Sequence, residues 1–192
     1  MDSRKSSRSE TITPTFHSET ERDRAWLARA EALATAPVDQ GGSPHPTTRV
    51  GALFVDLQNR EVAAASNRFA QGVNGKAPDR LRPGHKSLWV NCAEQMALAQ
   101  AVAQGATLRG TRLYVTLEPC AVCAGLVIEA GVLEVIVPAT SVNKVAALQA
   151  KWRTSLEVGR IKLAEAGVRV RRVPSPGTQN IPQNALPKDR TH

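Results

Sequence analysis

Apolar positions 26, 27, 30 and 33 within Arg22–Ala36 recur at helical spacing and predict a first helix, closed by Pro37. Val50–Val55 is a continuous apolar run that reads as a buried strand. Gln58-Asn59-Arg60 then turns the chain into a second strand, Glu61–Ser66, giving a hairpin. Beyond residue 90 the pattern alternates between the two periods. An alanine-rich helical run covers Ala93–Gln104, and a strand follows over Thr111–Leu117. A second helix covers Cys120–Ala130 and is stopped by Gly131, with an apolar strand at Val132–Val137. A helix over Ser155–Ala166, ended by Gly167, and a last strand over Val168–Val173 complete the series. Helices alternating with strands after a hairpin predict an α/β domain with a mixed sheet. Ligands in such open sheets bind beyond the carboxyl ends of the strands.

The polar stretches divide the chain. Residues 1–21 are rich in Ser, Thr, Glu and Arg without apolar period, and residues 174–192 are rich in Pro, Asn and Gly. Both are expected to be disordered, flanking one domain over 22–173. The Gly41–Pro46 stretch reads as an irregular loop with His45 exposed on it. A long polar loop from Asn67 to Lys86 leads directly into Trp89-Val90-Asn91-Cys92, and loops of that length inside compact domains are usually functional or disordered. It is expected to cover a substrate.

Length and composition narrow the class. A chain of 192 residues fits one domain with loose ends and buries a core without disulfides. Its three cysteines point to a reducing compartment. No run reaches the apolar length of a membrane helix, and the start lacks an apolar signal region, so a cytoplasmic location without a membrane partner is expected. The net charge of +8 is uneven. Residues 151–192 hold nine Lys/Arg against three acidic residues, which suits a phosphorylated substrate or nucleic acid, or equally a solvated basic face.

All three cysteines lie in two short pieces, Cys92-Ala93-Glu94 and Pro119-Cys120-Ala121-Val122-Cys123. Cys120 and Cys123 are spaced to share one face of a helical first turn, where Pro119 is tolerated. A helix over Ala93–Gln104 runs roughly 18 Å away from Cys92, and the following strand returns roughly 20 Å. The second helix therefore starts near where the first did. Three thiolates would converge beside two helix N-termini, whose partial positive charge favours their deprotonated form. Three protein ligands leave the fourth tetrahedral position of Zn²⁺ open, as in catalytic rather than structural sites. Glu94 strengthens that reading, because a proton carrier is needed beside a metal-activated water. Other uses of the same residues are an ordinary thiol-containing core, a structural zinc knuckle or a redox C-x-x-C pair. The first leaves the Glu and Pro offsets unused, the second lacks a clear fourth ligand and the third leaves Cys92 idle.

The pattern C-A-E…P-C-A-V-C resembles the H-x-E…P-C-x-x-C signature of zinc-dependent nucleobase deaminases, with cysteine in the histidine place. The chain is similar to the cytidine and deoxycytidylate deaminase superfamily over roughly Arg22 to Val173. Arg49–Ala52, Ser66–Phe69 with Gly72-Val73, Lys86–Trp89, and the late Trp152…Ser155 with Glu165–Val168 resemble its deoxycytidylate branch. Thr116–Gly125 looks equally like tRNA adenosine deaminases. The resemblance implies a three-layer α-β-α sandwich around a five-stranded mixed sheet of order 2-1-3-4-5. It implies Zn²⁺ held by Cys92, Cys120 and Cys123, Glu94 as proton shuttle, and Asn67 and Ala93 in contact with substrate. It further implies hydrolytic deamination of dCMP to dUMP and ammonia, and homo-oligomers. Adenosine deamination in RNA, or a zinc-stabilised nucleic-acid-binding module without strong activity, are the other functions it leaves open. One departure stands out: the deoxycytidylate branch usually has histidine where this chain has Cys92. Three thiolates on Zn²⁺ leave a net charge of −1, which weakens the metal as a Lewis acid.

Overall fold

Gly51–Val55 reads GALFV, and in the computed structural model all five residues are buried, forming the second strand of a five-stranded sheet. The structure describes residues 15–82 and 84–174. Its elements are α1 (Glu19–Thr35), β1 (Gly51–Val55), β2 (Glu61–Ser66), β3 (Arg68–Phe69), α2 (Lys86–Trp89), β4 (Val90–Asn91) and α3 (Ala93–Ala103). They continue with β5 (Arg112–Val115), α4 (Ala121–Glu129), β6 (Glu134–Pro138), α5 (Ser141–Ala146), α6 (Ala150–Glu165) and β7 (Arg169–Val173). The sheet order is β2-β1-β5-β6-β7. With the two-residue ribbon β3–β4 set aside, this is the expected order 2-1-3-4-5.

Direction changes across the sheet. β1 is antiparallel to both β2 and β5, whereas β5, β6 and β7 run parallel. The β1–β2 turn is closed by Asp56, whose carboxylate accepts the N–H groups of Gln58 and Arg60, both at 2.9 Å. Asn59 sits there at φ 61°, a left-handed conformation that asparagine tolerates.

Alternation along the strands builds two cores. Leu53, Val55, Tyr114, Ile136 and Val173 face α1, meeting Leu27 and Ala30. Ala52, Phe54, Leu113, Val115, Val135 and Val137 face the other way, onto Ala93, Ala97 and Ala101 of α3, Ala124 and Val127 of α4 and Leu163 of α6. A sheet apolar on both faces must be covered on both, hence three layers. Small residues set the spacing: a Cβ at Gly51 would lie 1.9 Å from the Ala30 carbonyl oxygen, so α1 rests directly on β1 backbone. On this side Asp23, fully buried, accepts from Tyr114 Oη at 2.7 Å and from Arg171 at 2.6 Å, fastening α1 to β5 and β7.

Several boundaries differ from the expected ones. The first helix begins at Glu19, three residues earlier, because Ser18 caps it by accepting the Glu21 N–H at 3.1 Å. The helix expected from Ser155 begins at Ala150, and α5 precedes it where no element was expected. The loose segments expected at the two ends lie largely in residues 1–14 and 175–192, outside the described residues. Among the described residues no helix is long and apolar enough to cross a membrane.

Candidate metal centre and catalytic pocket

Cys92 and Cys120 occupy equivalent places, each an extended residue immediately before a helix, α3 and α4 respectively. Backbone N–H groups of Cys123 and Val122, in the first turn of α4, favour the charged form of the Cys120 sulfur. At the start of α3 the Cys92 N–H donates to the Gln95 side-chain oxygen at 3.1 Å. The two helix starts bring the three sulfurs within 4.8 Å of one another. That donor set fits Zn²⁺, which takes cysteine sulfur at about 2.3 Å. In the metal-free protein the neighbouring Cys123 and Cys92 thiols hold the Cys120 thiol well below its ordinary range, while Cys120 and burial push the other two up.

The cluster borders a cavity of about 280 Å³. Its walls come from five parts of the chain: His45 to Val50, Asn67, the 87–94 stretch, Leu117 to Cys120, and residues of α6 with the loop before it. Five of the six sequence-predicted site residues line it, namely Asn67, Cys92, Ala93, Glu94 and Cys120. Cys123 lies fully buried behind them within the sulfur cluster. Glu94 is only 6% exposed. Burial first, and then the charge on Cys120, push its carboxyl up to about 8. A carboxyl that titrates near neutrality can both accept and return a proton.

Asn67 is held from two sides. Its side-chain oxygen accepts the Val50 N–H at 2.8 Å, and its amide nitrogen donates to the Thr48 carbonyl at 3.0 Å. The side chain is thereby fixed at the cavity wall. Of the long loop expected to cover a substrate, Asn67 stands on the wall; just past its end, Ser87, Val90 and Asn91 do too. Arg80 stacks 4.1 Å above the Trp89 ring, tying the middle of the loop to its end.

His45 requires a correction. Expected to be exposed, it is 7% exposed and lines the cavity. Its Nδ1 accepts the N–H groups of Thr47 at 3.2 Å and Thr48 at 2.7 Å, so the ring closes its own loop. Among the wall residues not singled out from sequence as site residues are Glu118, Trp152 and Leu156. Leu156 and Trp152 pack on the cysteines. A tryptophan in a basic, otherwise polar stretch was the available signal for Trp152.

The model of the cytidine and deoxycytidylate deaminase zinc-binding region matches residues 21–139. A probable deoxycytidylate deaminase of Drosophila melanogaster is 36% identical over 114 residues, covering 54% of this chain and 55% of that one. An uncharacterized deaminase of the luxG 3' region in Aliivibrio fischeri is 30% identical over 132 residues, covering 69% and 84%. The chain spans little more than half of the deoxycytidylate deaminases it matches, 60% in the case of the Mus musculus protein. Among solved structures, dCMP deaminase from the cyanophage S-TIM5, in complex with dCMP and dUMP, superposes with a TM-score of 0.62 at 22% identity. That match covers 82% of this chain and all of the phage chain. At that identity the likeness speaks to the fold, a cytidine deaminase-like sandwich.

Proposed function

The chain belongs to the cytidine and deoxycytidylate deaminase zinc-binding family, and from that premise we propose that it hydrolyses the amino group of a cytosine nucleotide, dCMP giving dUMP and ammonia. The observation that carries the reading is the meeting of Glu94 with the three-sulfur cluster on one cavity. The deoxycytidylate deaminases among its relatives favour dCMP.

Cys92, Cys120 and Cys123 would hold the metal. A bound Zn²⁺ supplies positive charge that lets water act as a nucleophile near neutral pH. The rest is work for the chain's own groups. Water adds at C4 of the cytosine ring, and Glu94 takes the proton it gives up and passes it to ring nitrogen N3. Glu94 then carries the remaining proton of the hydroxyl now on C4 to the amino group. The C–N bond breaks, a carbonyl forms at C4 and ammonia leaves. The carboxyl is buried at the cavity wall beside the sulfur cluster, where it can make both transfers. Ala93, fully buried between Cys92 and Glu94, offers backbone to the base edge. Asn67 offers the remaining lone pair and N–H of its fixed amide to sugar or base.

Purified protein should contain about one zinc per chain and release ammonia fastest from dCMP when compared with CMP, deoxycytidine, cytidine and an RNA stem-loop. Release from adenosine in the stem-loop instead would redirect the reading to RNA. Zinc without ammonia release from any substrate would replace it with a metal-stabilised binding module. Light scattering on the same preparation reads the expected self-association.

A further inference from the structure

Glu118 is among the most enclosed charged groups of the described residues, with 1% of its side chain exposed, and it lines the same cavity two residues before Cys120. Its carboxylate accepts from Nε of Arg160 on α6 and from Nη2 of Arg172 on β7, the latter at 2.6 Å. These contacts belong to a larger pattern. Ser155 Oγ accepts the Ala121 N–H at 3.2 Å, and Lys162 Nζ donates to the Ala121 carbonyl at 3.1 Å. Leu156 packs on Cys120 and Cys123. A Cβ at Gly159 would stand 2.4 Å from the Pro119 carbonyl oxygen, so α6 touches this segment backbone to backbone. Positions 155, 156, 159, 160 and 162 lie along one side of a helix. That side of α6 is given over to residues 118–123.

Two of the three cysteines ride on this segment, while Cys92 stands at the start of α3. Whatever anchors residues 118–123 therefore decides how far that pair lies from the third sulfur. We propose that Glu118 is a positioning residue for the cysteine cluster: bridged to Arg160 and Arg172, it locks the Cys120–Cys123 segment against α6 and β7 and so sets its distance from Cys92. Both arginines lie beyond residue 139, where the family match ends. The role rests on the metal-binding function proposed above, but it also governs the metal-free thiols.

The test compares Glu118→Gln with Glu134→Gln. Glu134 is as deeply buried and is held by Arg171 and Arg169, both at 2.6 Å, yet it does not line the cavity. Losing it should lower stability without disturbing the cysteines. Zinc affinity is measured by competition with a chromogenic chelator. Metal-free thiol reactivity is measured with an aromatic disulfide. Glu118→Gln is expected to bind zinc about 10–100-fold more weakly and to react faster at its thiols, while Glu134→Gln matches the wild type in both. Wild-type affinity and thiol rates in a folded Glu118→Gln would overturn the role, as would equal losses in the two variants. Should Glu118→Gln not fold, Arg172→Gln leaves the Glu118–Arg160 pair intact and should weaken zinc binding in the same direction. No change in it would be equally fatal. If the wild type itself takes up no zinc, the metal reading fails, and the thiol rates alone decide the positioning role.

Discussion

Replacing Glu94 by glutamine separates proton transfer from everything else at the site, and its consequences run in opposite directions. Glutamine keeps the size of the side chain and leaves all three sulfurs in place, so zinc content should be unchanged. Turnover should fall by about 10²–10⁴-fold, the usual contribution of a general acid–base, mainly in kcat rather than in binding. Stability should rise. Burial lifts the Glu94 carboxyl from its ordinary 4.5 to about 8 in the metal-free protein. A carboxyl raised on folding costs nothing below its unfolded pKa, where it is protonated in both states. The cost then grows as pH climbs from about 4.5 to about 8, because only the unfolded chain gives up its proton. At about 1.4 kcal/mol per pH unit, the wild type should end roughly 5 kcal/mol below Glu94→Gln above that window. Glu94 and the cysteines act on one another's titration, so the difference reports the carboxyl together with its effect on the thiols. Urea unfolding of metal-free protein on either side of the window measures it. Coincident stabilities for the two proteins at high pH would refute the buried, proton-holding carboxyl. dCMP turnover near the wild-type rate by Glu94→Gln would refute the mechanism.

Three further substitutions probe the cluster and its support. Cys120→Ala/Cys123→Ala should lose stoichiometric zinc by metal analysis, and tight zinc in that variant would remove the ligand assignment. Cys92→His exchanges an anionic ligand for a neutral one; it should keep zinc while the acid limb of the pH–rate profile moves to lower pH. Gly51→Ala would drive a methyl group into the Ala30 carbonyl. It should cost about 1–3 kcal/mol or more in thermal or urea unfolding, with zinc content retained in the folded fraction.

The parts of this fold that could be read from sequence are those whose cause is local. GALFV is a buried strand because five consecutive apolar residues cannot be placed elsewhere, and the sulfur-bearing helix starts are marked by proline, cysteine spacing and alanine runs. What escaped was too short to have a period or was decided by distant partners. The four-residue α2, the six-residue α5 and the β3–β4 ribbon give no repeat to detect. The first turn of α6, AKWR, carries a single apolar side chain larger than alanine, so helical spacing is not visible until Leu156. His45 is buried by the backbone N–H groups it accepts, which no composition rule for a Gly- and Pro-rich loop foresees.

Glu118 is the instructive case. In the sequence it is one more residue of the cysteine motif; its partners stand 42 and 54 positions downstream, and only the packing of α6 and β7 brings them to it. The same packing answers a difficulty raised by Cys92. Three thiolates on a divalent ion leave one net negative charge, where a histidine would leave none. Beside the segment that supplies two of those sulfurs, two arginines meet one carboxylate, so the trio is positive by one charge. The cysteine at the start of α3 and the arginine pair on α6 and β7 are thus complementary in sign. A chain with histidine at position 92 would have less need of the pair. Removing one arginine should accordingly be tolerated better in Cys92→His than in the wild type, a coupling that a double-mutant cycle on zinc affinity with Arg172→Gln measures directly. Additive losses would leave the arginines as anchors of the segment alone.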